Sequence, residues 1–358
     1  MIDSRMRRKR RPWLNVLLSI AIGVVILGAV FYFVGWRAVF REMSALGVGG
    51  IAAVLGTVIL AMVAWVICWW IILRSYGIRL PLRRIIGARL SGYAVSYLTP
   101  TLYFGGEPVR ALLVSDKERA PATRVFATII VERFLGGLSM ITFILMGSFY
   151  AISSPTIAWS EKRILVAGVA FITFWILVGL INFAWNRKWI SRAIRLLPRL
   201  LRRWKAGLER AADKVSETED EIYRAFTEHW RATLLAFLVQ TLATFFIYMR
   251  PQVFFFFSAG ITFTFPQLSL LFVFNIMLSF FLWITPGGLG TGEAALIGIF
   301  HLVHSGVTSH GAVAYSLIYK FAEAMWVGGG LYYLAQRGIR VMKEHAVTPD
   351  GDPDDSES

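Results

Sequence analysis

The sequence predicts an all-α polytopic membrane protein, with about six transmembrane helices and two re-entrant helical hairpins in an inverted repeat. Three observations carry that prediction. Only 16% of the 358 residues are charged and 56% are hydrophobic, whereas a soluble domain carries about 25% charged residues. No Asp, Glu, Lys or Arg occurs in 12–36, 43–73, 134–160, 164–186, 232–249 or 251–292, and these runs of 18 to 42 residues reach the length of about 20 that a helix needs to cross a bilayer core. Two Pro/Gly breaks interrupt apolar stretches at one shared spacing. A cytosolic enzyme, a disulfide-stapled secreted domain and a β-barrel of short alternating strands are excluded.

The elements follow in chain order. Residues 1–12 form a basic cytoplasmic N-terminus, with six basic residues in the seven positions from Arg5 to Arg11. The apolar run behind them is too long for a signal-peptide core and reads as a retained span. The first membrane half, 13–150, holds spans at about 14–34, 48–73 and 126–150. Between the second and third lies a segment, about 85–114, that begins and ends on a basic side and breaks at Thr99-Pro100 and Gly105-Gly106. It reads as a re-entrant hairpin, tolerated at membrane depth only where protein or water surrounds it.

The second half, 151–338, opens with a span at about 164–185. A linker at 187–230 follows, in which eight basic residues and no acidic one fall between Arg187 and Lys205. That bias places it in the cytoplasm, and Ile190, Ile194, Leu197, Leu201 and Trp204 recur at helical spacing. The fifth span is about 234–257. The run 251–292 is 42 residues without a charge, roughly double the hydrocarbon core as one helix, so it turns back. The turn is legible as Thr285-Pro286-Gly287-Gly288-Leu289-Gly290-Thr291-Gly292, giving a second hairpin at about 268–304. A sixth span at about 313–335 leads to an acidic tail, 339–358, expected to be disordered. Loop charge puts both termini in the cytoplasm of a cell with an inner membrane. It also accounts for the net charge of +15 without nucleic acid as a partner.

The two breaks match at an offset of 186: Thr99-Pro100, five residues, Gly106-Glu107, against Thr285-Pro286, five residues, Gly292-Glu293. Three crossings separate the hairpins, so the halves face opposite ways. A transporter with its site at the midplane, between broken helices, has this layout.

Ionisable residues inside membrane segments are the candidate site, because a charge in hydrocarbon is costly unless it is used or paired. Arg110, Arg133, Arg250 and Lys320 are candidate headgroup and phosphate ligands, while Glu107, Glu132, Glu293 and Glu323 balance charge or carry protons. The competing reading is a set of ion pairs that pin helices, such as Glu132 with a hairpin Arg. Glycines 105, 106, 287, 288, 290 and 292 permit close backbone approach, and Pro108 suits the first turn of a half-helix, whose free N–H groups would seat a phosphate. Glu107 and Glu293 stand at that same place. They pair with an Arg, receive a cationic headgroup, or titrate. His301, His304 and His310 lack a carboxylate or Cys companion at ligand spacing. No metal and no cofactor is expected.

Gly105-Gly106-Glu107-Pro108-Val109-Arg110, Val131-Glu132-Arg133-Phe134 and Pro286-Gly287-Gly288-Leu289-Gly290 with Glu293 resemble the lysylphosphatidylglycerol synthase transmembrane region, also described as a flippase-like domain. The similarity covers about 12–338. It implies a stand-alone member without the soluble synthase domain, and a lipid translocator rather than an enzyme. The implied cargo is a phosphate-bearing phospholipid or a polyprenyl-phosphate glycolipid. Membrane lipids are then the principal partners, with lipid- or glycan-modifying enzymes as further ones. The rival classes are a membrane-embedded lipid-modifying transferase using Glu107 or Glu293 as base, and a scaffold for lipid-glycan enzymes docking on 187–230.

Overall fold

The computed structural model describes residues 12–99, 105–116, 120–153, 159–196, 205–282, 285–303 and 305–347. Among them every regular element is a helix, apart from an isolated bridge between Asp116 and Ala120. The first half starts with α1 (Pro12–Val34), which bends by 86° into α2 (Trp36–Ala45). Gly35 makes that corner at φ +90°, a conformation L side chains rarely adopt. Then come α3 (Gly47–Ser75), the hairpin α4 (Leu82–Leu98) and α5 (Glu107–Val114), and α6 (Ala122–Ser153). The second half comprises α7 (Trp159–Ala184), α8 (Trp189–Leu196), α9 (Lys205–Thr227), α10 (Trp230–Tyr248) and α11 (Arg250–Ala259). It continues with the hairpin α12 (Phe265–Leu282), a single 3-10 turn (Pro286–Gly288) and α13 (Thr291–Leu302), and ends with α14 (Ser309–Val347).

Four helical segments among the described residues are long and apolar enough to cross a membrane, or five if the bent α1–α2 pair is one span. They are α3, 122–149 of α6, 166–183 of α7, and α10 with α11. The expected sixth span lies in α14, which is 39 residues long. Lys320 and Glu323 fall within its apolar stretch and lower its apolarity. The outer surface is what hydrocarbon demands: Val25 is 71% exposed and Phe149 70%, an apolar coat that water would not tolerate. The chain is an all-α polytopic membrane protein.

Helix pairing reproduces the repeat. α3 packs on α10, α4 on α14, and α6 on α12. If α3, α4 and α6 correspond to α10, α12 and α14, the first pair joins mates and the other two exchange into each other. Direction agrees. Gly50 at the start of α3 meets Phe257 at the end of α11, while Ala236 near the start of α10 joins the apolar cluster holding Trp69 and Leu73 at the end of α3. Gly87 faces Tyr333 while Ser91 Oγ donates to the Gly330 carbonyl at 3.2 Å, so α4 and α14 are antiparallel. Gly147 faces Ser269 and Phe143 touches Phe272, so α6 and α12 are too. Repeats related by a two-fold axis across the helices would pair in this way, as an inverted repeat does.

Two boundaries differ from expectation. The fifth span is not one helix: α10 stops at Tyr248 and α11 begins at Arg250, with Pro251 in its first turn. Proline lacks the N–H an unbroken helix needs there. The Phe254–Phe257 run consequently has two roles, with Phe254 and Phe255 buried and Phe256 and Phe257 exposed. The last helix continues through 339–347, so only 348–358 of the expected tail lie outside the described residues, as do the basic positions 5–11.

The linker between α7 and α10 is stitched by carboxylates. Glu219 of α9 accepts the backbone N–H groups of Ile190 and Ser191, both at 3.2 Å, which neutralises the positive end of α8. Asp220 accepts Lys188 Nζ at 2.7 Å and Asn186 Nδ2 at 2.9 Å. Partial burial alone would raise the Asp220 carboxyl, but these two donors outweigh it and hold it below the ordinary carboxylate value. The resulting stability is present above about pH 4 and is lost as pH falls through the lowered value. Asp220→Asn is therefore expected to lower the thermal midpoint at pH 7, only slightly because the pair is partly exposed, and to leave it unchanged in acid below the lowered value, so that the acid side of a plot of midpoint against pH flattens. An unaltered acid limb would assign that limb to other carboxylates.

Candidate functional site

Each hairpin break ends in a half-helix whose first turn carries a glutamate. Glu107 Oε2 accepts the N–H of Gly105 at 2.8 Å, and Oε1 is held by Arg133 Nε at 2.7 Å and Nη2 at 2.6 Å. Glu293 Oε2 accepts the N–H of Gly290 at 2.7 Å, and Oε1 pairs with Lys320 Nζ at 2.7 Å and accepts Ser316 Oγ at 3.0 Å. The two pairs are 26 and 27 residues apart in sequence, and in both the cation comes from the helix after the hairpin. Both carboxylates thus satisfy a backbone donor at a helix start and tie the break to the next helix. Lys320 also donates to the Gly288 carbonyl at 2.8 Å, and Thr285 Oγ1 closes the turn onto the Leu289 carbonyl at 2.8 Å.

The remaining charges break the symmetry. In the first half, Glu132 sits between Arg89 of α4 and Arg110 of α5, paired with both. The Arg110 guanidinium lies 4.0 Å from the Trp69 ring centroid, and Trp69 Nε1 donates to Thr128 Oγ1 at 3.1 Å. Arg110 is only 2% exposed. In the second half, Arg250 pairs with Glu323 at 2.7 Å and lies 5.0 Å over Tyr319. Among the described residues, three cations (Arg89, Arg110, Arg133) stand against two carboxylates (Glu107, Glu132) in the ion pairs of the first cluster, an excess of one positive charge. The second balances, with Arg250 and Lys320 against Glu323 and Glu293.

The breaks meet each other and their own arms. A Cβ on Gly287 would lie 2.5 Å from the Tyr97 ring, so the second hairpin's turn rests on the last turn of α4. A Cβ on Gly106 would lie 1.9 Å from the Gly92 carbonyl oxygen, and the Gly106 N–H reaches Ser96 Oγ at 3.0 Å. Only glycine allows that approach of two backbones. Gly106→Ala should destabilise by about 1–3 kcal/mol or more through overpacking, read as a drop in thermal midpoint of the purified protein. No drop would mean the arms are not in contact.

Every candidate charge is thus placed. Glu107 with Arg133, Arg110 with Glu132, Glu293 with Lys320 and Arg250 with Glu323 are brought together as ion pairs. Of the expected phosphate ligands, Arg110 is sealed between Glu132 and Trp69, whereas Arg133 has a side chain 37% exposed. Thr99, Gly105, Gly106, Pro108, Thr285, Gly287, Gly288, Gly290 and Gly292 lie in or beside the breaks, as does the backbone of Pro286; Pro100 lies outside the described residues. Reading the sequence missed Arg89, Trp69, Ser96, Tyr97 and Ser316. His301 Nε2 lies 3.2 Å from Ser309 Oγ, and His310 faces Glu42 at 3.4 Å; His304 lies outside the described residues.

Comparison with known proteins decides the family. The family described as the lysylphosphatidylglycerol synthase TM region matches residues 16–328. The chain belongs to this family. A UPF0104 membrane protein of Pyrococcus horikoshii is 24% identical over 336 residues, covering 90% of this chain and 98% of that protein. A UPF0104 membrane protein of Methanothermobacter thermautotrophicus is 31% identical over 162 residues, 43% of this chain and 47% of its own length. No solved structure matches. The family's matched stretch runs from α1 into α14, so both hairpins and all eight paired candidate charges fall inside it.

Proposed function

We propose that the chain translocates a phosphate-bearing lipid across the cytoplasmic membrane, its headgroup passing through the polar interior between the two hairpins. The carrying observation is the duplicated latch: Glu107 with Arg133 and Glu293 with Lys320, each fastening a Gly-broken half-helix to the following helix under one pseudo-two-fold relation. Buried charges at equivalent places on inverted repeats support alternating access, in which one latch holds while the other yields. The cluster with the surplus positive charge is the natural seat for the phosphate. Arg133 makes that contact, because its planar fork can hold two phosphate oxygens and part of it is exposed. Arg110 keeps the fork's surroundings rigid.

In this reading the protein moves lipid without altering it, both termini and the α8–α9 linker are cytoplasmic, and that linker is where lipid- or glycan-modifying enzymes would dock. The test uses purified protein in vesicles with a trace of fluorescent phosphatidylglycerol in both leaflets and a reductant that cannot cross. Protein-containing vesicles should lose nearly all fluorescence, and empty ones about half. Loss of only half would overturn the proposal. A lipid of altered mass after incubation would favour the transferase.

A further inference from the structure

Helix α8 is held the wrong way round for a linker surrounded by water. At about 100° per residue, Trp189, Ile190, Ala193 and Leu196 fall within an arc of about 120°, and all four are exposed. Ser191, on the opposite side, is 2% exposed, and its N–H is held by Glu219 of α9. The small polar side therefore faces the protein and the apolar side faces out. Built structure fixes this orientation. Asn186 and Lys188, in the turn before α8, take φ +46° and +52°, a left-handed conformation uncommon without glycine. Buried Asn182, near the end of α7, accepts the Trp189 N–H at 2.8 Å and donates to Glu219 at 3.0 Å. A contiguous apolar face turned outward in this way marks a non-aqueous neighbour.

We propose that this face lies in the bilayer surface at the end of α7 and binds anionic lipid there, with Arg187 and Arg192 on the lipid phosphates. Continuity names the bilayer. Only 185–188 separate α8 from α7, and four residues reach about 14 Å at most, too short to carry α8 out of the headgroup layer. The outer wall of α7, with Phe171, Phe174 and Trp175 exposed, runs straight into the apolar face of α8. Trp185 and Trp189 bracket the turn and are both exposed, and tryptophan favours the membrane–water interface. Charge names the lipid. Residues 185–196 contain four basic residues and no acidic one. Lys188 and Arg195 pair with Asp220 and Asp213, whereas Arg187 and Arg192 are exposed and enter no ion pair among the described residues. A basic, amphipathic helix lying in the interface has this form. The surface is outside the interior between the hairpins, so it holds lipid whether or not the chain moves any, and it leaves the exposed side of α9 to a protein partner.

The test uses the full chain in phosphatidylcholine vesicles. Cys68, its single cysteine, is buried, so a fluorophore can be attached at Leu196→Cys, and at Glu217→Cys on the exposed side of α9 as the control. A small fraction of the lipid, either phosphatidylglycerol or phosphatidylcholine, carries a nitroxide on its acyl chain, and quenching is read. The fluorophore at 196 should be quenched and the one at 217 should not. Phosphatidylglycerol should quench at 196 about fivefold more efficiently per mole or better, since each basic residue at an anionic surface is worth about a factor of five. Arg187→Gln with Arg192→Gln should bring the two lipids close to equality, and about 1 M salt should do the same in the unaltered chain. Inorganic phosphate at matched ionic strength should leave the preference in place. Quenching at 196 no stronger than at 217 would put α8 in water or under another protein surface and overturn the proposal. So would equal quenching by the two lipids, or a preference that survives the double substitution. Loss of the preference to inorganic phosphate would mark a seat for free anions and overturn it too. The fluorophore reads only lipid within reach of α8, so cargo held between the hairpins does not contribute.

Discussion

Glu132→Ala is expected to destabilise the protein by about 3–5 kcal/mol, the usual consequence of removing one partner from a buried ion pair. The expected value lies at the upper end because two cations depend on it. Arg89 and Arg110 approach the carboxylate from different helices, Glu132 itself is 3% exposed, and among the described residues no other carboxylate pairs with either. Without it, two guanidiniums face each other in a low-dielectric interior. Stacking of Arg110 on Trp69 and of Arg89 on Trp65 offsets part of that loss, since cation–π contact is worth about 2 kcal/mol or more when desolvated. Thermal or denaturant unfolding in detergent, followed by tryptophan fluorescence, reads the effect, and Trp69 is placed to report it. Arg110→Lys should be milder, because a point charge can still reach Glu132 but loses the flat contact with the indole. A loss below about 1 kcal/mol for Glu132→Ala, the range of exposed pairs, would show that the triad is hydrated. Arg110 would then be available to a ligand after all.

That triad marks where the sequence stops being readable. The charge-free runs located the helices, since a backbone in hydrocarbon has no other way to satisfy its polar groups. Thr99-Pro100 and Thr285-Pro286, with the glycines behind them, located both hairpins, because proline and glycine act on the local backbone and leave a local trace. Pairing leaves little: a hairpin Arg opposite Glu132 is one open alternative, but nothing local singles out Arg110 and Arg89 as its two partners. Arg89 and Glu132 are 43 residues apart and meet only because α4, α5 and α6 have particular rotations about their own axes. Arg89 in sequence is one more basic residue in a basic stretch. The approach of Tyr97 to Gly287 crosses from one repeat to the other and is equally silent. The break between Tyr248 and Arg250 was missed for a different reason. Hydropathy continues across it, and a lone Pro251 within an apolar run is compatible with a kinked span as well as with two helices.

Stability and transport should separate at the two latches, and that separation is the second large effect. Glu293 is fully buried and Lys320 is largely covered, at 18% exposure, so Glu293→Gln leaves the ammonium without its paired carboxylate and should cost about 3 kcal/mol, the lower end for a buried pair. Glu107 faces an Arg133 that is 37% exposed, where water screens the pair, and Glu107→Gln should cost about 1 kcal/mol or less. Each glutamine still offers an oxygen to Gly105 or Gly290, so the half-helix starts survive. Were the pairs merely structural, transport per folded molecule would be normal in both variants. If instead each latch must close in turn as the headgroup passes, the two variants should be impaired alike, about tenfold or more, which corresponds to about 1.4 kcal/mol or more in the barrier. Unequal destabilisation with equal loss of transport is therefore the signature of paired latches. The experiment measures unfolding and vesicle transport on the same preparations, normalised to folded protein. Lys320→Arg serves as the control, because it keeps the charge and can still reach Glu293 and the Gly288 carbonyl. Its transport should stay within a few-fold of the unaltered protein. Should Glu107→Gln transport normally while Glu293→Gln does not, the symmetry of the two hairpins would be architectural only, and the moving part would lie in the second half alone.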